Sequence, residues 1–169
     1  MGVRLTQKVA GGARFSARVV SFCARRPREG LLLARMGFWV AALSLMVKVL
    51  PLPRAMAALR PRRTRSANPD PEATQARLAA LLDMLLGADF WVFTPTCWKR
   101  APVLYRYLAL EGVETRVVFG MRKRDGDGSA LDGHAWLEAG GRPVLEREAP
   151  AYSVTYVFPP AAARTAPAR

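Results

Sequence analysis

The sequence predicts an α+β fold, and three observations carry that prediction. Leu78, Leu81, Leu82 and Leu85 recur at helical spacing, a second periodic segment starts at Cys97, and β-branched runs punctuated by glycine follow Gly112. Helices that precede a run of strands, rather than alternating with them, segregate into an α+β arrangement. With 169 residues, the chain holds one ordinary domain of about 100–150 residues plus an extension. Residues 1–66 read as a basic, partly apolar helical extension and linker, 67–160 as the domain, and 161–169 as a disordered tail rich in Ala, Pro and Arg.

Charge separates the two parts. The net charge is +13, and through Ser66 Glu29 is the sole acid, whereas acids and bases balance from Ala67 onward. Residues from Met1 to about Arg28 read either as a flexible basic arm or as sequence upstream of the true start codon. Leu31 to Leu50 is strongly apolar but interrupted by Arg35 and Lys48, so its unbroken stretch falls short of the ~20 residues of a membrane span. Three readings stand for it: a core helix or cap on the domain, an interfacial helix whose arginines favour anionic lipid, and a true span. Pro51 and Pro53 end it, and Arg60-Pro-Arg-Arg-Thr-Arg65 reads as a solvated linker. Nucleic acid is not an expected partner, because no base-reading module or aromatic platform accompanies the charge.

In the domain, Asp70, Pro71 and Glu72 suit a helix start, and a helix runs to about Leu86 before Gly87. Phe90-Trp-Val-Phe93 leads into Thr94-Pro-Thr96, which supplies turn and cap chemistry for a helix headed by Cys97 and ended by Gly112. Pro102 falls beyond that helix's first turn, where a kink is expected. Strands follow at Thr115–Gly120, Gly133–Glu138, Arg142–Glu146 and Ser153–Phe158, with a polar turn at Arg122–Ser129 and a hairpin at Gly140-Gly141. Asp125-Gly-Asp-Gly-Ser129 lacks the later ligands of a calcium loop and reads as a turn.

Cys97 and His134, the chain's single histidine, carry the chemistry. Unpaired N–H groups and the dipole at a helix start stabilise a thiolate, the reactive form of cysteine, and a histidine beside it serves as base. Taken alone, such a cysteine is most often a small buried hydrophobe and such a histidine a satisfied strand residue; their contexts argue for a site. Cys23, with Phe22 and basic neighbours and no histidine partner, reads as incidental. The two cysteines and one histidine show no metal-ligand spacing, so neither a metal nor another cofactor is expected. A secretory signal is not indicated, and a reducing cytoplasm is the expected location, with membrane association through residues 31–50 as an option.

Cys97-Trp-Lys-Arg-Ala101, Val118-Phe-Gly-Met-Arg-Lys123, Asp132-Gly-His-Ala-Trp-Leu-Glu138 and Gly141-Arg-Pro-Val-Leu-Glu146 together resemble the transglutaminase-like cysteine peptidases of lasso-peptide maturation, over about Asn68 to Phe158. The resemblance implies a papain-like core, with a Cys-bearing helix on a small antiparallel sheet bearing His and an acid. It also implies that Cys97 is the nucleophile, His134 the general base and Glu146 the third member, where the family commonly has aspartate. Glutamate is one methylene longer yet can accept the imidazole N–H. Glu148 and Asp132 are the fallback residues. The implied activity is cleavage of the leader from a ribosomally made precursor peptide, with a separate leader-recognition protein and a macrolactam-forming synthetase as partners. Two other functions fit the sequence: another acyl transfer on the same scaffold, such as cross-linking or deamidation, and a noncatalytic scaffold that docks on a membrane or partner through the basic extension.

Overall fold

The computed structural model describes residues 21, 22, 24–89, 92–124, 127–146 and 148–160. Among the described residues, helices α1 (Pro27–Val49), α2 (Leu52–Leu59), α3 (Pro71–Leu86) and α4 (Cys97–Leu110) precede strands β1 (Arg116–Arg124), β2 (Asp127–Ala139), β3 (Arg142–Val144) and β4 (Ser153–Phe158). The sheet order is β3-β2-β1-β4, every neighbouring pair antiparallel. This is the expected α+β segregation. Cys23 and residues 161–169 lie outside the described residues.

Proline shapes the helical half twice. Leu50 leaves α1 in an extended conformation, and Pro51 then caps α2, with Pro53 in its first turn. The two prolines that stop one helix therefore start another, since a missing N–H costs nothing in a first turn. Helix α3 starts as its sequence requires: Asp70 accepts from the Ala73 N–H at 3.0 Å, and Pro71 opens the first turn. Helix α4 continues through Pro102, which is buried.

One core serves all these elements. Met36, Val40 and Leu43 of α1, Met56 and Leu59 of α2, Leu78 and Leu82 of α3, Leu104 and Leu108 of α4, and Val117 of β1 are buried in a single cluster. Truncating one such leucine to alanine costs about 2–5 kcal/mol. Helix α4 packs against α1, α2, α3, β1 and β2, so its position is fixed from several sides.

The basic linker is solvated along its arginines but docked at its end. The Arg65 N–H donates to the Leu110 carbonyl at 3.3 Å and that of Asn68 to the Gly112 carbonyl at 3.1 Å, while the Asn68 side chain donates to the Glu111 carbonyl at 2.9 Å. The Arg65 guanidinium also pairs with Glu111. Gly112 has φ +75°, and a Cβ there would lie 2.0 Å from the Ser66 carbonyl oxygen.

Three strand boundaries differ from the expectation. The hairpin of β1 and β2 is longer: Arg122 pairs with Asp132, and Arg124 with Asp127 across a bulge. Residues of the Arg122–Ser129 turn are thereby drawn into the ladder, while Asp125 and Gly126 lie outside the described residues. The strand expected over Arg142–Glu146 stops at Val144, because Leu145 adopts φ +62° and turns the chain out of the ladder. Gly140 and Gly141, at φ +57° and +80°, make the expected hairpin turn.

Gly112→Ala combines left-handed strain with a backbone clash and should lower unfolding free energy by about 1–3 kcal/mol or more, read from urea midpoints. Burial pushes the Tyr107 phenol up to about 12 from its ordinary 10.0. The unfolded chain therefore ionises this tyrosine first, and the stability held by its neutral form is intact below pH 10.0 and lost as pH rises to about 12. Urea titrations across that window should show a smaller alkaline loss in Tyr107→Phe than in the wild type.

Candidate active site

The first turn of α4 builds one side of the site. Thr96 is the N-cap residue in an extended conformation, but the expected side-chain cap is not made, its Oγ1 being buried without a hydrogen-bond partner among the described residues; its carbonyl accepts from the N–H groups of Lys99 at 3.1 Å and Arg100 at 3.0 Å. Helix geometry leaves the N–H groups of Cys97 and Trp98 without intrahelical partners, at the positive end of the dipole. Cys97 is a free, half-buried thiol. The segment leading to it is held by Lys99, only 5% exposed, whose Nζ donates to the Val92 carbonyl at 2.8 Å and to Thr94 Oγ1 at 2.5 Å. Burial lowers the Lys99 ammonium below its ordinary pKa. A cation inside the fold thus fixes the approach of the backbone to Cys97.

The sheet builds the other side. Asp132, His134 and Trp136 alternate along β2 and share one face. The Trp136 ring is stacked on the His134 imidazole, with centroids 5.9 Å apart and planes 16° apart, and Tyr152 closes on the imidazole at 5.3 Å. This aromatic wall needs a glycine. Gly120 lies directly across the ladder from His134, and a Cβ there would come within 2.7 Å of Tyr152 Cβ and 3.0 Å of the Trp136 ring. The Tyr152 hydroxyl donates to Asp132 Oδ2 at 3.0 Å, Arg122 Nε donates to the same oxygen at 3.2 Å, and the Arg122 guanidinium lies over the Tyr152 ring at 4.6 Å. Burial, then the hydrogen bond to Asp132, raises the Tyr152 phenol.

The left-handed turn at Leu145 brings Glu146 to the imidazole: His134 Nε2 and Glu146 Oε2 are 3.3 Å apart, each side chain roughly one quarter exposed or less, at 25 and 22%. An ionised carboxylate can only accept, so in this contact Nε2 is the donor and Nδ1 is the ring nitrogen left for other partners. The distance is slightly beyond the usual hydrogen-bond range; contacts of this kind often tighten around a substrate. Of the three acids singled out from sequence, Glu146 meets the histidine, Asp132 is engaged by Arg122 and Tyr152, and Glu148 lines the same cleft.

Cys97, His134 and Glu146 all border one cleft of about 750 Å³, within the size range of ligand sites. Arg100 and Arg122 also line it. Asp83 holds Arg100 with two contacts of 2.7 and 3.0 Å, and this hydrogen bonding raises the guanidinium pKa. Sequence reasoning missed Arg100, Arg122 and Tyr152, whose partners lie ten or more residues away, and Lys99, which folds back on the segment just ahead of its own helix. Gly120 did carry a signal, since a glycine inside a β-branched run marks close approach by a neighbour.

Residues 38–158 match the family described as the transglutaminase-like superfamily. The match begins inside α1, earlier than the motifs from Cys97 onward would require. No curated protein and no solved structure matches the chain.

Gly120→Ala should force Tyr152 or Trp136 off the imidazole and destabilise the fold by about 1–3 kcal/mol. Because the chain has a single histidine, its imidazole proton resonances report the displacement directly; unchanged chemical shifts would contradict the packing described.

Proposed function

Because the chain belongs to the transglutaminase-like superfamily, whose members support the reading of a papain-like cysteine enzyme, we propose that it is a cysteine peptidase that cleaves the leader from a ribosomally synthesised precursor peptide. The observation carrying this reading is the convergence of Cys97, His134 and the His134–Glu146 contact on one cleft. The motif resemblance to lasso-peptide maturation peptidases supplies the substrate class. The proposed partners are accordingly a separate leader-recognition protein and a macrolactam-forming synthetase, and the proposed location is the cytoplasm.

The shared cleft and the His134–Glu146 contact support a thioester route. Nδ1 of His134 removes the Cys97 thiol proton, while Glu146 holds Nε2–H and stabilises the imidazolium. The thiolate attacks the scissile carbonyl, and the N–H groups of Cys97 and Trp98 donate to the oxyanion. The C–N bond breaks, and the departing amine takes its proton from the imidazolium, leaving a thioester. Water, deprotonated by His134, adds to the thioester; the C–S bond breaks, releasing the leader's new carboxylate and restoring the thiol.

Mass spectrometry of a precursor incubated with its leader-binding partner and this protein tests the reading. The wild type should cut one bond, Cys97→Ala none, and Glu146→Gln should slow cleavage by about 10²–10⁴-fold. An intact precursor beside a verified partner would instead point to another acyl transfer. Wild-type activity in Cys97→Ala would remove the peptidase reading altogether.

A further inference from the structure

We propose that the outward face of α1 is a docking surface for an anionic lipid membrane, on which the protein lies peripherally. Helix α1 is apolar on two faces. The first, with Leu33, Met36, Val40 and Leu43, is buried, and the helix packs against α2, α3 and α4. The second carries Leu31, Phe38, Leu45 and Val49, which are 56, 65, 64 and 71% exposed. At about 100° per residue these four fall within about 40° of arc, so they form one continuous stripe along the helix.

The buried face decides how such a helix can meet a bilayer. By length and hydropathy, 1.8 over its best window, α1 could cross a membrane. Crossing would pull Met36, Val40 and Leu43 out of the core they share with α2, α3 and α4. Lying in the plane of the interface keeps those contacts and places the stripe among acyl chains. At the same angular spacing, exposed Arg28 and Arg35 flank one edge of the stripe and Lys48 the other, where long side chains can reach headgroups while their stems cover apolar surface.

Charge selects the occupant. From Ala24 to Ser66 Glu29 is the sole acid, and exposed Arg54, Arg60, Arg62 and Arg63 follow α1. A second copy of the chain would bring the same basic rim to the stripe. Residues 1–20, with Arg4, Lys8, Arg14 and Arg18 and no acid, would add like charge as well. Anionic headgroups bring the complementary sign, and each nearby basic residue strengthens that attraction.

The test uses the full chain in co-sedimentation with phosphatidylcholine vesicles containing about one third phosphatidylserine, and with pure phosphatidylcholine vesicles. Binding to the anionic vesicles should be at least about tenfold stronger than to the neutral ones and should weaken with salt. Phe38→Gln/Leu45→Gln should reduce partitioning about tenfold or more with Tm unchanged; Leu31→Gln/Val49→Gln is the second variant should the first fail to fold. Failure to bind anionic vesicles would overturn the proposal and leave the stripe to an acidic protein partner. Binding unaffected by the double variants would also overturn it, by assigning attraction to the basic segments alone. A concentration-dependent dimer dissolved by the same variants would assign the face to a second copy.

Discussion

The burial of α4 on several sides is the constraint on which the rest depends. That helix packs against α1, α2, α3, β1 and β2, and its first residue is Cys97. The thiol therefore inherits its position from apolar residues further along the helix, Val103, Leu104 and Leu108 among them, all fully buried. Pro102 in the interior shows how strongly packing dominates. A proline there costs about 3 kcal/mol in an isolated helix, yet α4 continues through it because tertiary contacts, not intrinsic propensity, hold the segment helical.

Against that fixed helix, the sheet supplies a site assembled from distant parts of the chain. His134 comes from the interior of β2, Glu146 from just beyond β3, and Tyr152 from the segment leading into β4. The side chains around the imidazole are mutually restrained by aromatic contact and by the shared Asp132 oxygen. The arginine pairs bordering the cleft act mainly on shape. Partly exposed pairs such as Arg100–Asp83 and Arg122–Asp132 contribute only about 0–1 kcal/mol each, but two-point contact with Asp83 fixes where the Arg100 guanidinium stands.

What could be read from the sequence was local. Asp70-Pro71 and the leucine spacing marked α3, and Gly140-Gly141 marked the hairpin, because caps, periodicity and turn chemistry act over a few residues; α4 starts at Cys97 as expected, though without the side-chain cap from Thr96. Helix α2 escaped notice although Leu52, Ala55, Met56 and Leu59 keep helical spacing over its eight residues, because Pro51 and Pro53 read only as breakers. The extension of β1 through Arg122-Lys-Arg124 is held by cross-strand pairing, which leaves no alternation of apolar and polar residues in that charged stretch. Nothing in the sequence announces the left-handed Leu145, since leucine is a poor choice for that conformation. The meeting of Glu146 with His134 was accessible through resemblance to known motifs, and the Arg122–Asp132–Tyr152 grouping arises from three segments that only the fold brings together.

Leu145 illustrates a trade-off. A β-carbon at φ +62° stores about 1–3 kcal/mol of strain, placed directly before the carboxylate that faces the imidazole. Glycine at this position would relax the backbone, but would also widen the set of conformations open to Glu146. Thermal robustness and orientational order therefore pull in opposite directions at one residue. Selection for melting temperature alone would tend to erode the very turn that aims the acid, as stability gained at strained sites elsewhere commonly comes at the expense of function.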